Sequence, residues 1–289
     1  MNAVGVESEL ELEPVRRRRT LWRRARRSPA LMVGVTIIGL IVAGAVLAPV
    51  LSPAPPNQQD LFHVLGGFSS AHPLGTDELG RDELSRLLYG ARTDLLVGVL
   101  AIVFPFFFGT AIGTIAGFYG GVLDSVTMRI VDVLIAFPFY VLVIGLVFVI
   151  GPGIRGIFIA FAVVDWVIYA RTIRSTTLVV RDSDYVAAAR GAGLSDLRVL
   201  TRHVLPNTVS QAIVYAMSDI VLVIVAVVTL GYLGLGVQPP TADWGAMISA
   251  GQEFLTTNWT LATLPGLAVV ITGLGLSLIG DGLATVLRP

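Results

Sequence analysis

The sequence predicts an all-α polytopic membrane protein with six transmembrane helices. Its composition is the first observation behind this prediction, because the 289 residues are 54% hydrophobic and only 14% charged, with a mean hydropathy of +0.79. A soluble domain carries about 25% charged residues, so an ordinary soluble protein is excluded. The chain has no cysteine, which excludes disulfides, thiol nucleophiles and Cys-based metal sites.

Long apolar runs are the second observation. A helix that spans a bilayer needs about 20 mainly apolar residues. We predict such spans at 31–51, 95–118, 130–150, 208–237 and 260–280. A shorter run at 156–170 contains Asp165 and is the doubtful sixth member of the series.

The distribution of arginine is the third observation, and it resolves the doubtful span. Cytoplasmic loops of membrane proteins are enriched in basic residues. The N-terminal tail holds eight arginines, and six more lie between 171 and 202. With six spans, both groups lie on one side, and only Arg81, Arg86, Arg92 and Arg155 lie outside. We therefore predict six helices with both termini in the cytoplasm.

The chain divides into three predicted parts. Residues 1–28 form a basic cytoplasmic tail, residues 29–91 the first transmembrane helix and an extracytoplasmic segment, and residues 92–289 a compact block of five spans. The block includes a charged cytoplasmic loop at 182–206. No internal repeat of 20–50 residues is present.

Two extracytoplasmic segments contain candidate surface helices. The first begins with SPAPPNQQ, which is not helical, and continues to Leu79, Leu84, Leu87 and Leu88. These leucines predict an amphipathic helix on the membrane surface. The second, 237–258, carries Trp244, with Trp259 directly after it, and is expected to form a re-entrant or interfacial helix.

The loop segment YVAAARGAGLSDLRVLTRHVLP, residues 185–206, predicts a broken helix. Tyr185, Ala188, Ala189 and Ala192 recur at helical spacing and make one smooth face of small side chains. Gly193 is expected to end this helix at a positive φ. A second helix, 196–203, should follow and end before Leu205-Pro206, because proline biases the preceding residue towards extended geometry. A solvated loop is the alternative interpretation.

The same segment resembles the coupling loop in permease subunits of ABC importers. Ala188, Ala189, Gly193 and Leu205-Pro206 match its spacing, while the family's glutamate falls on Ala187. The motifs HPLGTDELGRDELSRLLYGARTDLLVG (72–98), GFYGG (117–121), RHVLPN (202–207) and GLGVQPPTADWGAMI (234–248) are similar to the C-type permease of dipeptide, oligopeptide and nickel importers. The resemblance covers nearly the whole chain after residue 30.

This resemblance implies a type I ABC-importer permease of the bacterial cell membrane. The chain would form half of a pore for short peptides, with nickel or another small solute as the alternative. Its implied partners are a B-type permease, one or two ATPase subunits and an extracytoplasmic substrate-binding protein, besides the bilayer itself. ATP and Mg²⁺ would be bound by the ATPase subunits, and we expect this chain to bind neither a cofactor of its own nor nucleic acid.

The resemblance also implies two sets of site residues. The set for ATPase coupling is Asp184, Tyr185, Ala187, Ala188, Ala189, Arg190, Gly193, Asp196 and Pro206. The set for an outer gate or binding-protein docking is Asp77, Arg81, Asp82, Gln238, Pro239 and Trp244.

Three aspartates in or near the spans, Asp132, Asp165 and Asp219, are candidates for the transport pathway. Ionisable residues in a membrane usually face a bundle interior or an aqueous cavity, although Asp132 and Asp219 could reach an interface. An intramembrane aspartyl protease is a remote alternative, as is a secondary transporter, which would normally show an internal repeat.

There is no G-x-x-x-x-G-K-[ST] phosphate loop, so this chain is not expected to hydrolyse ATP or to act as an enzyme. The three histidines, 63, 72 and 203, are scattered, and we expect no metal site.

Overall fold

The computed structural model describes residues 28–287. Apart from an isolated bridge between Thr76 and Asp82, all regular structure in this range is helical. The α-helices are α1 (Pro29–Val46), α2 (Ala48–Leu51), α3 (Glu83–Tyr119), α4 (Gly121–Ile135), α5 (Phe139–Ile150), α6 (Ile154–Val164), α7 (Trp166–Arg181), α8 (Asp184–Gly191), α9 (Asp196–Val199), α10 (Leu205–Tyr232), α11 (Trp244–Gly251) and α12 (Thr260–Leu287). A π-helical turn occupies Leu200–Val204 and a 3₁₀ turn Gln252–Phe254. The predicted basic tail lies outside the described residues.

Within the described range, five helical segments are long and apolar enough to cross a membrane. They are α1, α3, α6 with α7, α9 with α10, and α12. A sixth is present if α4 and α5 count as one span, although these helices meet at an angle of 86°. The expected span at 130–150 is thus bent, and the total of six spans stays a prediction. The break falls just before Pro138, which lacks the N–H that a continuing helix needs.

α3 is the long helix that organises the bundle. Asp82 caps its first turn by accepting a hydrogen bond from the Ser85 amide at 2.7 Å, and the helix ends at Gly120, where φ is +68°. The predicted surface helix around residues 84–88 is wrong, because these residues are the first turns of α3 and Leu79 lies before it. The helix also runs unbroken through residues 91 and 92, where the predicted division of the chain falls.

Glycines in α3 bring α7 into close contact with it. A Cβ atom at Gly109 would lie 2.5 Å from the Trp166 carbonyl oxygen, and one at Gly113 would lie 2.4 Å from the Ala170 carbonyl oxygen. Small residues at a helix interface allow this close backbone approach in membranes. The short sixth candidate span is thus part of a 28-residue segment, Ile154–Arg181, packed along α3.

The two ends of α3 mark two ends of the molecule. We call residues 54–94 and 236–258 the cap end, because α11 packs there beside the start of α3. We call residues 117–125 and 181–207 the loop end, because Phe118 packs there against the predicted coupling loop. α1 runs towards the cap end and α12 starts there, as contacts of Gly44 with Leu88 and of Gly251 with Leu261 show. Both described chain ends therefore lie away from the cap end.

Candidate functional site

The first half of the loop, α8 and its C-terminus, matches the sequence prediction. Gly193 has a φ of +80°, as expected. Its amide donates to the Arg190 carbonyl at 2.9 Å, and the Leu194 amide donates to the Ala189 carbonyl at 3.3 Å. This pair of bonds is a Schellman motif, which satisfies carbonyls at the end of a helix. A sharp, well-defined corner therefore follows α8.

The second half of the loop differs from the prediction. The α-helix covers only Asp196–Val199, and the π-helical turn continues without a stop into α10. The Leu205 amide donates to the Leu200 carbonyl, five residues back. Pro206 is the second residue of α10, and the helical path continues through it. The expected end before Leu205-Pro206 is therefore wrong, because the π-helical turn carries the helix past a proline that lacks an N–H donor.

A small buried cluster fixes the loop to the body of the protein. Val186, Ala189, Val199, Leu200 and Val204 pack with Phe118 of α3. The helical spacing predicted that Ala189 shares one smooth face with Tyr185, Ala188 and Ala192. In the structure Ala189 faces inward, whereas the other three residues are exposed. The exposed members of the predicted coupling set are Asp184, Tyr185, Ala187, Ala188, Arg190, Gly193, Asp196 and Pro206. Their role in coupling stays a prediction.

Asn207, the third residue after the π-helical turn, was not among the site residues predicted from the sequence. Its side-chain amide donates to the Tyr185 hydroxyl at 3.2 Å and to the His203 carbonyl at 2.8 Å. It therefore joins α8 to the start of α10. The motif RHVLPN contained this residue, but only the loop's folded path brings it to Tyr185.

Charged side chains at the cap end are largely buried. Asp77 accepts a hydrogen bond from Arg81 Nε at 2.6 Å and from two backbone amides, and Arg86 Nε lies 3.5 Å from it. Asp82 caps α3 and lies 3.0 Å from His72 Nδ1. Asp77 and Asp82, predicted for an outer gate or docking surface, are thus inside the cap, where they hold its turns together.

Trp244 is also inside the cap, not at a membrane interface as expected. It is 1% exposed, and its indole Nε1 donates to the Leu87 carbonyl at 3.0 Å. A Cβ atom at Gly90 would lie 2.8 Å from the Trp244 ring. Among the predicted outer residues, Gln238 and Pro239 are exposed and Arg81 is half-buried. These three are the members of the set that can meet a partner directly.

A pair of carboxyl groups, Asp94 and Asp243, joins α3 to α11. Asp94 Oδ2 accepts from the Trp244 amide at 2.9 Å, and Asp243 accepts from the Gly245 and Ala246 amides, each at 3.1 Å. Asp94 Oδ1 is buried without a hydrogen-bond partner. Burial raises the pKa of Asp243 above its ordinary value. Neither residue was among the predicted site residues.

The three membrane aspartates do not form one group. Asp132 is exposed and forms an ion pair with Arg171. Asp165 and Asp219 are buried together, and the Tyr169 hydroxyl donates to Asp219 Oδ2 at 2.8 Å. Both carboxyl groups are almost entirely shielded from solvent, which does not suit the hydrated dyad of an aspartyl protease. A role for them in the transport pathway stays a prediction.

One face of α10 carries five polar side chains, four of them exposed and Thr229 half-buried. We call this set the polar stripe, and it consists of Asn207, Gln211, Ser218, Thr229 and Tyr232, with the apolar Val225 on the same face between Ser218 and Thr229. The spacings of four, seven, eleven and three residues place all five within one narrow face of a helix. Exposed polar groups on a membrane-spanning helix normally face a partner or an aqueous cavity instead of lipid.

Comparisons with known proteins agree with the motifs. Residues 109–289 match the family model described as binding-protein-dependent transport system inner membrane component. Residues 17–66 match the model described as N-terminal TM domain of oligopeptide transport permease C.

Three relatives illustrate the similarity over most of the chain. The dipeptide transport system permease protein DppC of Alkalihalophilus pseudofirmus is 36% identical over 273 residues, which cover 93% of this chain and 90% of that protein. The glutathione transport system permease protein GsiD of Escherichia coli is 39% identical, with 93% and 89% covered. The di/tripeptide transport system permease protein DppC of Pseudomonas aeruginosa is 36% identical, with 93% and 90% covered.

Proposed function

We propose that this chain, which belongs to the family of binding-protein-dependent transport system inner membrane components, is a pore-forming permease subunit of an ATP-driven importer of short peptides. The peptide cargo is supported by the names of relatives that are 36–39% identical over nearly the whole chain. The protein is a multi-pass component of a bacterial inner membrane. Glutathione, dipeptides and tripeptides all carry amide groups, which a mostly uncharged pathway can bind through hydrogen bonds.

The geometry of the loop end is the single observation that carries this proposal. α8 is pinned on its inner side by Val186 and Ala189, while Ala187, Ala188 and Ala192 lie exposed on its outer side. Small exposed side chains allow a second protein to approach the helix backbone closely. A short helix held by packing on one side can transmit rigid-body movement from such a partner to the spans. We infer that the ATPase docks on this outer side.

The topology that we propose places the loop end in the cytoplasm. Of the arginines in the described residues, seven lie on the side of the loop end, at 129, 171, 174, 181, 190, 198 and 202. Four lie towards the cap end, at 81, 86, 92 and 155. This distribution follows the positive-inside rule. With α4 and α5 taken as one bent span, six spans result and both termini are cytoplasmic, as in a type I importer.

The polar stripe of α10 is our candidate for the pathway wall. Gln211 and Ser218 are exposed polar side chains in the part of α10 that a bilayer would surround. A second, B-type permease facing this stripe would enclose an aqueous path between the two chains. The ATPase subunits would hold ATP and Mg²⁺, and the binding protein would deliver peptide at the cap end, near Gln238 and Pro239.

The experiment compares aspartate substitutions at two exposed positions of the loop end. Ala188→Asp places a charge on the outer side of α8, whereas Ser125→Asp places one on α4 at the same end of the molecule. Both side chains are solvent-exposed, so both variants should fold and insert. We expect Ala188→Asp to abolish co-purification of the ATPase and peptide uptake, and Ser125→Asp to retain both.

Uptake of a labelled dipeptide by cells and mass spectrometry of the complex purified in mild detergent provide the two measurements. Wild-type ATPase binding and uptake by Ala188→Asp would refute docking on α8. The variant Ala189→Asp is unsuitable here, because it would place a charge in the buried cluster and disturb the fold.

A further inference from the structure

The contact between α8 and α10 contains one directional bond in the part of the chain that the structure describes. Val186 and Ala189 hold α8 by apolar packing, which has no preferred direction, and Arg190 lies over the Phe118 ring. The exception is Asn207, whose side-chain amide reaches the Tyr185 hydroxyl at 3.2 Å. Tyr185 lies in the first turn of α8 and Asn207 in the first turn of α10. The bond therefore joins the starts of two helices that are 22 positions apart in sequence.

The same amide stabilises an irregular piece of backbone. Between α9 and α10 the chain forms the π-helical turn, and Pro206 then removes an N–H that a regular helix would use. Asn207 Nδ2 donates to the His203 carbonyl at 2.8 Å and so supplies a side-chain donor within this turn. π-helical turns are rare and often mark functional sites. Asn207 thus connects α8 to the point where α10 is least regular.

We propose that Asn207 is a positioning residue that converts movement of α8 into movement of α10, an inference that rests on the proposed docking of the ATPase at α8. A pull on Tyr185 acts on the Asn207 amide and through it on the π-helical turn. Asn207 is also the first member of the polar stripe, so a rotation that starts there turns Gln211 and Ser218 in the same sense. The pathway wall would change its orientation while the buried cluster keeps α8 attached.

The test measures coupling in proteoliposomes that contain the complete importer with its ATPase and binding protein. The readout is the number of ATP molecules hydrolysed for each labelled dipeptide imported. The variants are Asn207→Ala, Tyr185→Phe and the combination of both. Ser210→Ala is the matched control, because its exposed hydroxyl bonds only to the Pro206 carbonyl one turn earlier.

We expect Asn207→Ala and Tyr185→Phe each to raise the ATP used per peptide by about fivefold, in line with the loss of one hydrogen bond. The ATPase should co-purify with Asn207→Ala and with Ser210→Ala, because neither residue belongs to the predicted coupling set. The double variant should be no worse than the stronger single one, since both changes remove the same bond. Asn207→Gln, which keeps the amide on a longer side chain, should recover part of the coupling, and Ser210→Ala should match wild type.

Two results would overturn the inference. One is an unchanged ratio of ATP to peptide in Asn207→Ala. The other is a parallel loss of melting temperature, ATPase activity and uptake, because that pattern means a purely structural role. Neither result would affect the proposed function, which fails if the wild-type chain does not bind an ATPase. ATPase binding by Ala188→Asp would refute only the docking site on α8.

Discussion

The cap end and the loop end are held together by different forces. At the cap end, buried charged groups such as Asp77, Asp82 and Asp94 bind backbone amides and arginines across several elements. At the loop end, α8 is held by a handful of apolar side chains around Val186, and Asn207 adds a single bond between α8 and α10 within the described residues. The polar contacts of Arg181 with the Gly117 carbonyl and of Arg174 with Asp124 hold α7 at this end, and not α8.

This difference indicates which end is built to move. Hydrogen bonds are directional, so a network of buried ones specifies a single arrangement, and breaking any of them leaves an unsatisfied polar group. A small apolar cluster tolerates sliding, since its contacts have no preferred angle. We therefore regard the cap end as the fixed frame of the bundle and the loop end as its moving joint. The following predictions test this contrast in order of decreasing effect.

The largest effect is expected from Trp244→Ala at the cap end. This change removes a fully buried ring and its bond to the Leu87 carbonyl, and we expect it to lower the free energy of unfolding by about 3–5 kcal/mol. Trp259→Ala is the matched control, because Trp259 is 57% exposed. Thermal or denaturant unfolding in mild detergent measures both. Equal losses in the two variants would mean that the cap is not the rigid part of the molecule.

The second prediction concerns the buried cluster at the loop end. Val186→Ala removes two methyl groups from full burial, at about 0.8 kcal/mol for each buried carbon. We expect amide hydrogen exchange in residues 184–199 to accelerate about tenfold, while exchange at the cap end stays unchanged, because the joint opens locally. Val179→Ala, at a position that is 76% exposed, is the control and should leave exchange unchanged. If exchange accelerates at both ends together, the two ends belong to one cooperative unit.

Local signals in the sequence predicted much of the loop end correctly. Gly193 ends α8 because a positive φ is accessible to glycine, and this information is contained in the residue itself. The helical spacing of Tyr185, Ala188 and Ala189 predicted a helix correctly. Spacing alone does not identify the side that is buried, however, and Ala189 faces inward because Phe118 of a distant helix lies there.

The interior of the cap was not predicted, for a related reason. Asp94 and Asp243 are 149 positions apart in the sequence, and although each lies within a motif that carries the resemblance, neither motif indicates that the two side chains meet. Trp244 was expected at a membrane interface because tryptophan prefers that region, but Gly90 leaves room for its ring against α3. Long-range packing decided these positions. The bend before Pro138 is a different case. The proline in the sequence indicated a break in the span, but the angle of 86° between the two helices could not be predicted from it.

The smallest effect is expected at the corner after α8, where two glycines differ only in backbone conformation. Gly193 has a φ of +80°, whereas Gly191 is helical, and an added Cβ would meet nothing within 4 Å at either position. Gly193→Ala should therefore destabilise the corner by about 1 kcal/mol through backbone strain alone. Gly191→Ala should stabilise α8 by about 0.5–1 kcal/mol, because alanine has less conformational freedom to lose. Hydrogen exchange of α8 measures both changes, which should be opposite in sign. A shift in the same direction would mean that contacts outside α8, and not its own backbone, determine how firmly the joint is held.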